Sequence, residues 1–101
     1  MKATFKSADG TSFHNTTFSA TVQDLRKILG IPREEQNDGE DKTNFEWVME
    51  TDDGEVFTVY DWKEYHILDE EMEEIEWHIG GDSGRITEQA LEEIEEALQN
   101  I

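Results

Sequence analysis

The stretch NFEWVMETDDGEVFTVYDW, residues 44–62, alternates apolar and polar side chains on both sides of an Asp53-Gly54 pair. This alternation predicts two half-buried strands, and Asp-Gly between them favours a two-residue hairpin turn. One face would then be an aromatic wall of the core, and the other would be partly acidic. The predicted cross-strand pairs are Phe45 with Trp62, Trp47 with Tyr60 and Met49 with Thr58 on the first face, and Glu46 with Asp61, Val48 with Val59 and Glu50 with Phe57 on the second.

The N-terminal third predicts a second hairpin followed by a helix. A three-residue loop at Asp9-Gly10 would place Phe5 opposite Phe13, in the stretch ATFKSADGTSFHNTTF, residues 3–18. The following ATVQDLRKILG, residues 20–30, has helical spacing, with Thr21 as its N-cap and a glycine at its end. Residues 33–43 contain no large apolar side chain and predict a mobile loop inside the domain.

The C-terminal part predicts a strand and the longest helix of the chain. The strand is IEWHI, residues 75–79, with Ile75, Trp77 and Ile79 facing inward. The helix lies in ITEQALEEIEEALQNI, residues 86–101, and Thr87 is its predicted N-cap. The order ββα-ββ-β-α over residues 1–101 predicts one α+β domain, with a largely antiparallel sheet of about five strands and two helices packed on it.

The composition excludes several classes of protein. The chain has no cysteine, which excludes a disulfide framework and thiolate chemistry and suits a reducing cytoplasm. No run of about 18 apolar residues predicts a membrane span. The first ten residues, MKATFKSADG, lack the apolar centre of a signal peptide. The sequence therefore predicts a cytoplasmic protein without a membrane partner.

The charge is the most unusual property of the sequence. The chain carries 26 acidic and 8 basic residues, a net charge of −18. Residues 1–33 hold five bases and two acids, whereas residues 34–101 hold three bases and 24 acids. A surface this acidic repels nucleic acid and attracts basic protein surfaces. The charge therefore predicts a basic protein partner and no direct contact with nucleic acid.

Four letters, GDSG at residues 81–84, match the string around the nucleophilic serine of trypsin-like proteases. That fold needs two β-barrels, roughly twice this length, and a base and an acid placed beside the serine. Glycine, aspartate and serine are also the residues that a strand-to-helix turn prefers. The motif therefore predicts a turn, and Ser83 is predicted to have no catalytic role.

The acidic residues do not form a recognisable metal or catalytic motif. The EF-hand pattern fails around Gly39, where Phe45 would replace the bidentate glutamate, and around Gly54, where Met49 would be the first ligand. The three histidines lack the spacing of a zinc site. No carboxylate pair of the glycosidase type can be singled out. The sequence predicts no metal, no cofactor and no catalytic residue; a looser metal site within residues 69–74 is the remaining alternative.

Three groups of acidic residues are predicted to bind the partner. Glutamates four positions apart on a helix lie about 6 Å from each other, a spacing comparable with that of neighbouring phosphates on a DNA strand. The alternative is that the same acids serve solubility alone. The groups are Glu46, Glu50 and Asp61 on the hairpin; Asp69, Glu70, Glu71, Glu73, Glu74 and Glu76 before and within the next strand; and Glu88, Glu92, Glu93, Glu95 and Glu96 on the last helix.

The pattern TVYDWKEY…EWHIGG, residues 58–81, resembles uncharacterised small acidic proteins of tailed bacteriophages, over roughly residues 44–98. By charge alone the chain also resembles phage DNA-mimic proteins, which occupy the DNA-binding sites of host restriction, nuclease or CRISPR machinery. These resemblances imply a non-enzymatic phage accessory protein in the host cytoplasm that inhibits a basic, nucleic-acid-handling host protein. The alternatives are a small protein-interaction module of phage assembly and, third, a metal-dependent or carboxylate enzyme.

Overall fold

The computed structural model describes residues 1–101, which form six strands and two helices. The predicted α+β class, the antiparallel sheet and both helices are confirmed, and the sheet has one strand more than expected. The elements are β1 (Lys2–Ala3), β2 (Ser12–Ala20), α1 (Val22–Leu29), β3 (Glu34–Glu35), β4 (Phe45–Glu50), β5 (Val56–Tyr60), β6 (Ile75–Gly81) and α2 (Gly84–Gln99).

The sheet is antiparallel throughout, in the order β1-β4-β5-β6-β2, and β3 pairs with β4 beside β1. Both helices contribute to one hydrophobic core on a single face of the sheet, so the fold has two layers. That core includes Trp47, Trp77 and Phe45 from the strands, Leu25 from α1 and Ile94 from α2. No helix covers the opposite face, which we call the open face.

The central hairpin exists, but its predicted register is wrong by one residue. Trp47 lies opposite Val59 rather than Tyr60, because the loop has three residues instead of two. Thr51 N donates to Glu55 O at 2.9 Å, and Gly54 has the left-handed φ of 81° that ends such a loop. One extra loop residue turns all of β5 over, because side chains alternate between the two faces.

The predicted N-terminal hairpin is also wrong. β1 does not pair with β2; Lys2 and Ala3 lie against the far edge of the sheet, opposite Glu50 and Met49 of β4. β2 instead pairs with β6. Phe5 is fully exposed and has no cross-strand partner. The strand order therefore depends on contacts between residues almost fifty positions apart.

The first helix is confirmed, and the start of the second is corrected. Thr21 caps α1 by accepting from Asp24 N at 3.1 Å, and Gly30 ends the helix with a φ of 85°. α2 begins earlier than predicted, because Ser83 and not Thr87 is its N-cap. Thr87 is completely buried and hydrogen-bonds to Thr16 of β2 at 2.8 Å. Neither helix has the length and apolar character that crossing a membrane requires.

The segment predicted as a loop, residues 33–43, contains β3. Glu34 and Glu35 pair with Glu46 and Phe45, a contact too short to be recognised as a strand in the sequence. The segment is also tied to the 66–68 region, where Asn37 Oδ1 accepts from Leu68 N at 2.7 Å.

Candidate functional site

The fourteen predicted partner-binding acids divide into eight that are exposed and six that are partly or fully buried, and five of these six pair within the chain. Eight have exposed side chains: Asp69, Glu71, Glu74, Glu76, Glu88, Glu92, Glu95 and Glu96. Of these, only Glu76 lies within 4 Å of a positively ionisable group, the His78 ring at 3.9 Å. The other six are partly or fully buried and most of them pair inside the molecule: Glu46, Glu50, Asp61, Glu70, Glu73 and Glu93.

The exposed acids of α2 form one strip along its solvent side, which we call the acidic stripe: Glu88, Glu92, Glu95 and Glu96. Positions four and three apart lie on the same side of a helix, about 5–6 Å from each other. No lysine or arginine pairs with any of the four. The helix also has no basic residue in its last turn, where cations are favoured. The stripe is thus uncompensated within the chain.

Glu93 has a different role from the acidic stripe. Its carboxylate lies 3.0 Å from the N-terminal ammonium group of Met1 and accepts from Asp52 N at 3.2 Å. The Met1 ammonium group also donates to the Asp52 carboxylate at 2.6 Å, and the two carboxylates raise the pKa of the amino group, Asp52 most strongly. Gln89, one turn earlier, donates to Asp53 at 3.0 Å. The β4–β5 turn therefore rests against α2, and its exposed Asp52 and Asp53 extend the acidic surface in a way the sequence did not reveal.

Asp61 is not part of any surface. Sequence analysis placed it on the acidic face of the hairpin, but the corrected register of β5 points it inward and leaves it completely buried. One carboxylate oxygen accepts from the backbone N of Asn44 at 2.8 Å and of Phe45 at 2.9 Å. The other accepts from the Asn44 side chain at 3.2 Å. Asp61 is therefore a structural acid that joins the start of β4 to the end of β5.

The other two hairpin acids do lie toward the open face, but neither is freely exposed. Glu50 is only 7% exposed and lies 3.4 Å from the ammonium groups of both Lys2 and Lys6. These lysines and a hydrogen bond to Thr4 lower the pKa of its carboxyl, the Thr4 bond most strongly. Glu46 is half-buried, and its pKa is raised, first by burial and then by neighbouring Glu34.

The acids of residues 69–76 divide in the same way. Glu70 accepts from Arg26 of α1 at 2.8 Å, and Glu73 lies 2.5 Å from His66. The pKa of His66 is raised by its bonds to the Glu64 carbonyl and to Glu73, and the pKa of Glu73 is lowered by His66. No group of three or more His, Cys, Asp or Glu side chains has an arrangement that could hold a metal ion.

Ser83 lies at the junction between β6 and α2, within the GDSG letters that were predicted to form a turn without a catalytic role. Its hydroxyl accepts from Ile86 N at 3.4 Å, and its extended backbone, with φ of −152°, is that of an N-cap. No histidine ring hydrogen-bonds to this hydroxyl; His14 of β2 bonds instead to Ser12 and the Gly81 carbonyl. The arrangement accounts for the serine without catalysis.

Replacing Ser83 by alanine is expected to lower the free energy of unfolding by about 1 kcal/mol, the usual cost of a lost N-cap. Ser83→Gly should lower the free energy of unfolding by only about a few tenths of a kcal/mol, because glycine is itself tolerated at N-caps. Chemical denaturation measures both values, and the fold should persist in each variant. Covalent labelling of Ser83 by a serine-reactive phosphonate would contradict the capping role.

A cluster of rings on the open face was not predicted. Phe13 stacks on His78 with centroids 4.6 Å apart, His78 lies 5.6 Å from Tyr60, and Tyr60 meets Trp62 edge-to-face at 6.2 Å. Sequence analysis placed Trp62 in the core, but it is 41% exposed. The sequence did indicate that Thr58, Tyr60 and Trp62 lie together, because residues two positions apart share one face of a strand. It did not indicate which face of the sheet they occupy.

The backbone beside Trp62 is unusual as well. Lys63 and Tyr65 both have a left-handed φ, of 57° and 52°, which non-glycine residues adopt only a few per cent of the time. Lys63 N donates to Lys42 O at 2.7 Å, which fixes the loop against residues 42–43. Such conformations are costly and concentrate at functional sites. The open face around Trp62 is therefore a second candidate site beside the acidic stripe.

No protein-family model, curated protein or solved structure matches this chain. The roles of the residues at both candidate sites therefore rest on their own geometry and charge. The resemblance of residues 58–81 to small tailed-phage proteins stays a prediction.

Proposed function

We propose that this chain is a non-enzymatic protein that binds a basic, nucleic-acid-handling protein and blocks it by imitating nucleic acid. The observation that supports this proposal is the acidic stripe of α2, four exposed glutamates without a cationic partner in the chain. The phage resemblance adds an origin and a setting: an accessory protein acting in the host cytoplasm on a restriction, nuclease or CRISPR enzyme.

The acidic stripe is unfavourable for the helix that carries it. Glu88–Glu92 and Glu92–Glu96 are like-charge pairs four residues apart, which destabilise a helix by a few tenths of a kcal/mol each. Glu95 and Glu96 also lie at the negative end of the helix dipole. A helix that needed only solubility would mix positive and negative charges. A helix that is destabilised by its own charges, with no nearby cation to offset them, is expected where those charges bind a partner.

The remaining exposed acids enlarge this surface. Asp52 and Asp53 lie in the turn that rests on α2; both are exposed, although Asp52 already pairs with the Met1 amino group at 2.6 Å. Asp69, Glu71, Glu74 and Glu76 provide a further acidic group around the start of β6. Basic groups of a DNA-binding cleft would meet carboxylates in place of phosphates, and such complementarity mainly accelerates association.

The open face supports a second candidate, a small protein-interaction module. Trp62 and Phe13 are each about two-fifths exposed, at 41% and 40%, beside the partly exposed Tyr60 ring. Tryptophan and tyrosine are enriched among the residues that dominate binding energy at protein interfaces. In this candidate the acidity serves solubility and the open face makes the contact.

Reversing two charges of the acidic stripe tests the first candidate. Glu92→Lys with Glu96→Lys should slow association with a partner isolated from bacterial lysate by about tenfold or more, because electrostatic steering acts on the association rate. Binding by the unmodified chain should weaken as salt rises, since exposed charges are screened over about 8–10 Å at physiological strength. DNA should compete with the chain. The measurement is surface-based kinetics on partners isolated from bacterial lysate and identified by mass spectrometry.

The matched control is Glu40→Lys with Asp41→Lys, which changes the net charge equally. Both residues are exposed and lie just before β4, at the end opposite to the turn that contacts α2. This control should slow association by no more than about threefold. Equal effects of the two double variants would mean that net charge, and not the acidic stripe, attracts the partner. Binding that both double variants leave unchanged would favour the open face.

A further inference from the structure

The open face carries a pocket whose lining combines rings with one carboxylate. The pocket has a volume of about 270 Å³ and is bordered by Tyr60, Trp62, Glu46 and the small residues Thr58 and Gly80. A second concavity of about 360 Å³, lined by the rings of the cluster around Tyr60, adjoins it and shares two of its residues. Aromatic walls with a few polar groups are typical of ligand sites.

Glu46 is the unexplained group in this pocket. It lies directly opposite Tyr60 in the β4–β5 pairing, and its side chain is half-buried. Yet Glu46 has no salt bridge and its carboxylate accepts no hydrogen bond from the protein, unlike its strand neighbour Glu50. Burial raises the pKa of Glu46, and burial, followed by the charge of Glu46, raises the pKa of Tyr60. The Glu46 carboxylate is half-buried and has only the longer-range charge of Arg33 to offset neighbouring Glu34, so a cation beside it would stabilise its charged form.

The floor of the pocket is kept open by a glycine. A Cβ at Gly80 would lie 2.5 Å from Thr58 Oγ1 and 3.6 Å from a Tyr60 ring carbon. A side chain there would displace the Thr58 hydroxyl and fill the space beside the Tyr60 ring. The absence of a side chain thus lets a ligand reach the space between the tyrosine and Glu46.

We propose that this pocket binds a guanidinium or ammonium group of an arginine or lysine side chain in a protein partner. The faces of Tyr60 and Trp62 carry negative electrostatic potential, which attracts cations within about 6 Å of the ring centre. The Glu46 carboxylate supplies the counter-charge, and a guanidinium group can donate two hydrogen bonds to it. The net charge of −18 favours arrival of a cation from any direction.

Two lysines beside pocket residues place their ammonium groups at cation–π distance from the pocket tryptophan. The ammonium groups of Lys42 and Lys63 lie 5.7 and 5.6 Å from the Trp62 ring centre. Both side chains are exposed and flexible, so they can withdraw into solvent when a ligand enters. They oppose a bound cation by repulsion and would attract a bound anion. Their removal therefore distinguishes the charge of the ligand.

A pair of capped tripeptides, acetyl-Gly-Arg-Gly-amide and the neutral isostere acetyl-Gly-citrulline-Gly-amide, tests the proposal. In ¹H–¹⁵N NMR titrations the arginine peptide should shift the Trp62 indole and Gly80 amide signals with a dissociation constant on the order of 1 mM. The citrulline peptide should produce no saturable shift. Glu46→Gln should weaken the arginine peptide about tenfold, and Lys42→Gln with Lys63→Gln should tighten it about twofold.

The control is Glu92→Gln on the acidic stripe, which removes the same charge from the opposite layer and should change the affinity by less than twofold. Trp62→Leu, followed at Gly80, should also weaken binding, which keeps the test valid if Glu46→Gln alters the fold. Equal shifts by both peptides, equal effects of Glu46→Gln and Glu92→Gln, or weaker binding by the lysine double variant would each overturn the proposal. The inference rests on the open face alone, so its failure leaves the nucleic-acid mimic untouched, and the reverse holds.

Discussion

Replacing Trp47 by alanine is expected to lower the free energy of unfolding by about 3–5 kcal/mol, the range for large aromatic truncations in cores. Trp47 is 1% exposed, packs against Phe45 at 5.9 Å and meets Trp77 edge-to-face at 5.6 Å. Its indole N–H also donates to the carbonyl of Gly30 at 2.9 Å. Alanine would therefore leave a cavity and an unpaired carbonyl at the end of α1. Urea denaturation followed by circular dichroism measures the change.

Trp62→Ala is the matched control, because it removes the same side chain from the open face. Trp62 has no place in the core cluster, so its loss should cost less than about 1 kcal/mol. Trp47→Phe should fall between the two, since it keeps a ring in the core but loses the bond to Gly30. A loss below about 1 kcal/mol for Trp47→Ala would mean that this ring is not a core anchor.

Trp47 and Trp62 also show which features of the hairpin the sequence could predict and which it could not. Residues 44–62 predict a hairpin correctly, because strand alternation and Asp53-Gly54 are local signals. The register of the hairpin depends on whether its loop has two or three residues, and the sequence around Asp53-Gly54 is compatible with either length. Residues 57–62 offer large side chains on each face, Phe57 and Val59 on one and Tyr60 and Trp62 on the other. Packing against the helices decides between them, and that packing is not a local property.

The strand order was unpredictable for a related reason. A hairpin around Asp9-Gly10 was reasonable locally, but β1 pairs with the edge of β4 instead, where Lys2 and the nearby Lys6 meet the buried carboxylate of Glu50. Nothing near residue 6 in the sequence points to residue 50. By contrast, α1, with Thr21 and Gly30 at its ends, is specified by neighbouring residues and was predicted to the residue.

The candidate site shows the same division. The acidic stripe follows from helical spacing alone, so its exposed positions could be predicted from the sequence. The sequence could not predict which acids form ion pairs within the chain. Arg26 contacts Glu70, and the Met1 amino group contacts Glu93, only in the folded structure. The net charge of the chain therefore overstates the number of unpaired acids that are available to a partner. The open-face pocket was missed entirely, since it exists only in the corrected register of β5.

Asp61→Ala is expected to lower the free energy of unfolding by about 2–5 kcal/mol, although sequence analysis treated Asp61 as a surface acid. The cost arises because the carboxylate is the acceptor for the backbone N–H groups of Asn44 and Phe45, both in buried residues. Each buried donor left without an acceptor costs about 1–3 kcal/mol. The Asn44 side chain, which also binds His66 O and Gly39 N, would lose its anchor as well. Chemical denaturation measures the loss.

Asp9→Ala is the matched control for Asp61→Ala, since it removes the same charge from an exposed loop and should change stability by no more than about 0.5 kcal/mol. Asp61→Asn should be intermediate, because its amide oxygen can still accept from the two backbone N–H groups while its NH₂ faces the Asn44 side chain. Hydrogen exchange at the amides of Asn44 and Phe45 should accelerate in the alanine variant more than at Trp77. If Asp61→Ala is as mild as Asp9→Ala, the carboxylate does not hold the hairpin closed, and the corrected register of β5 loses its main polar support.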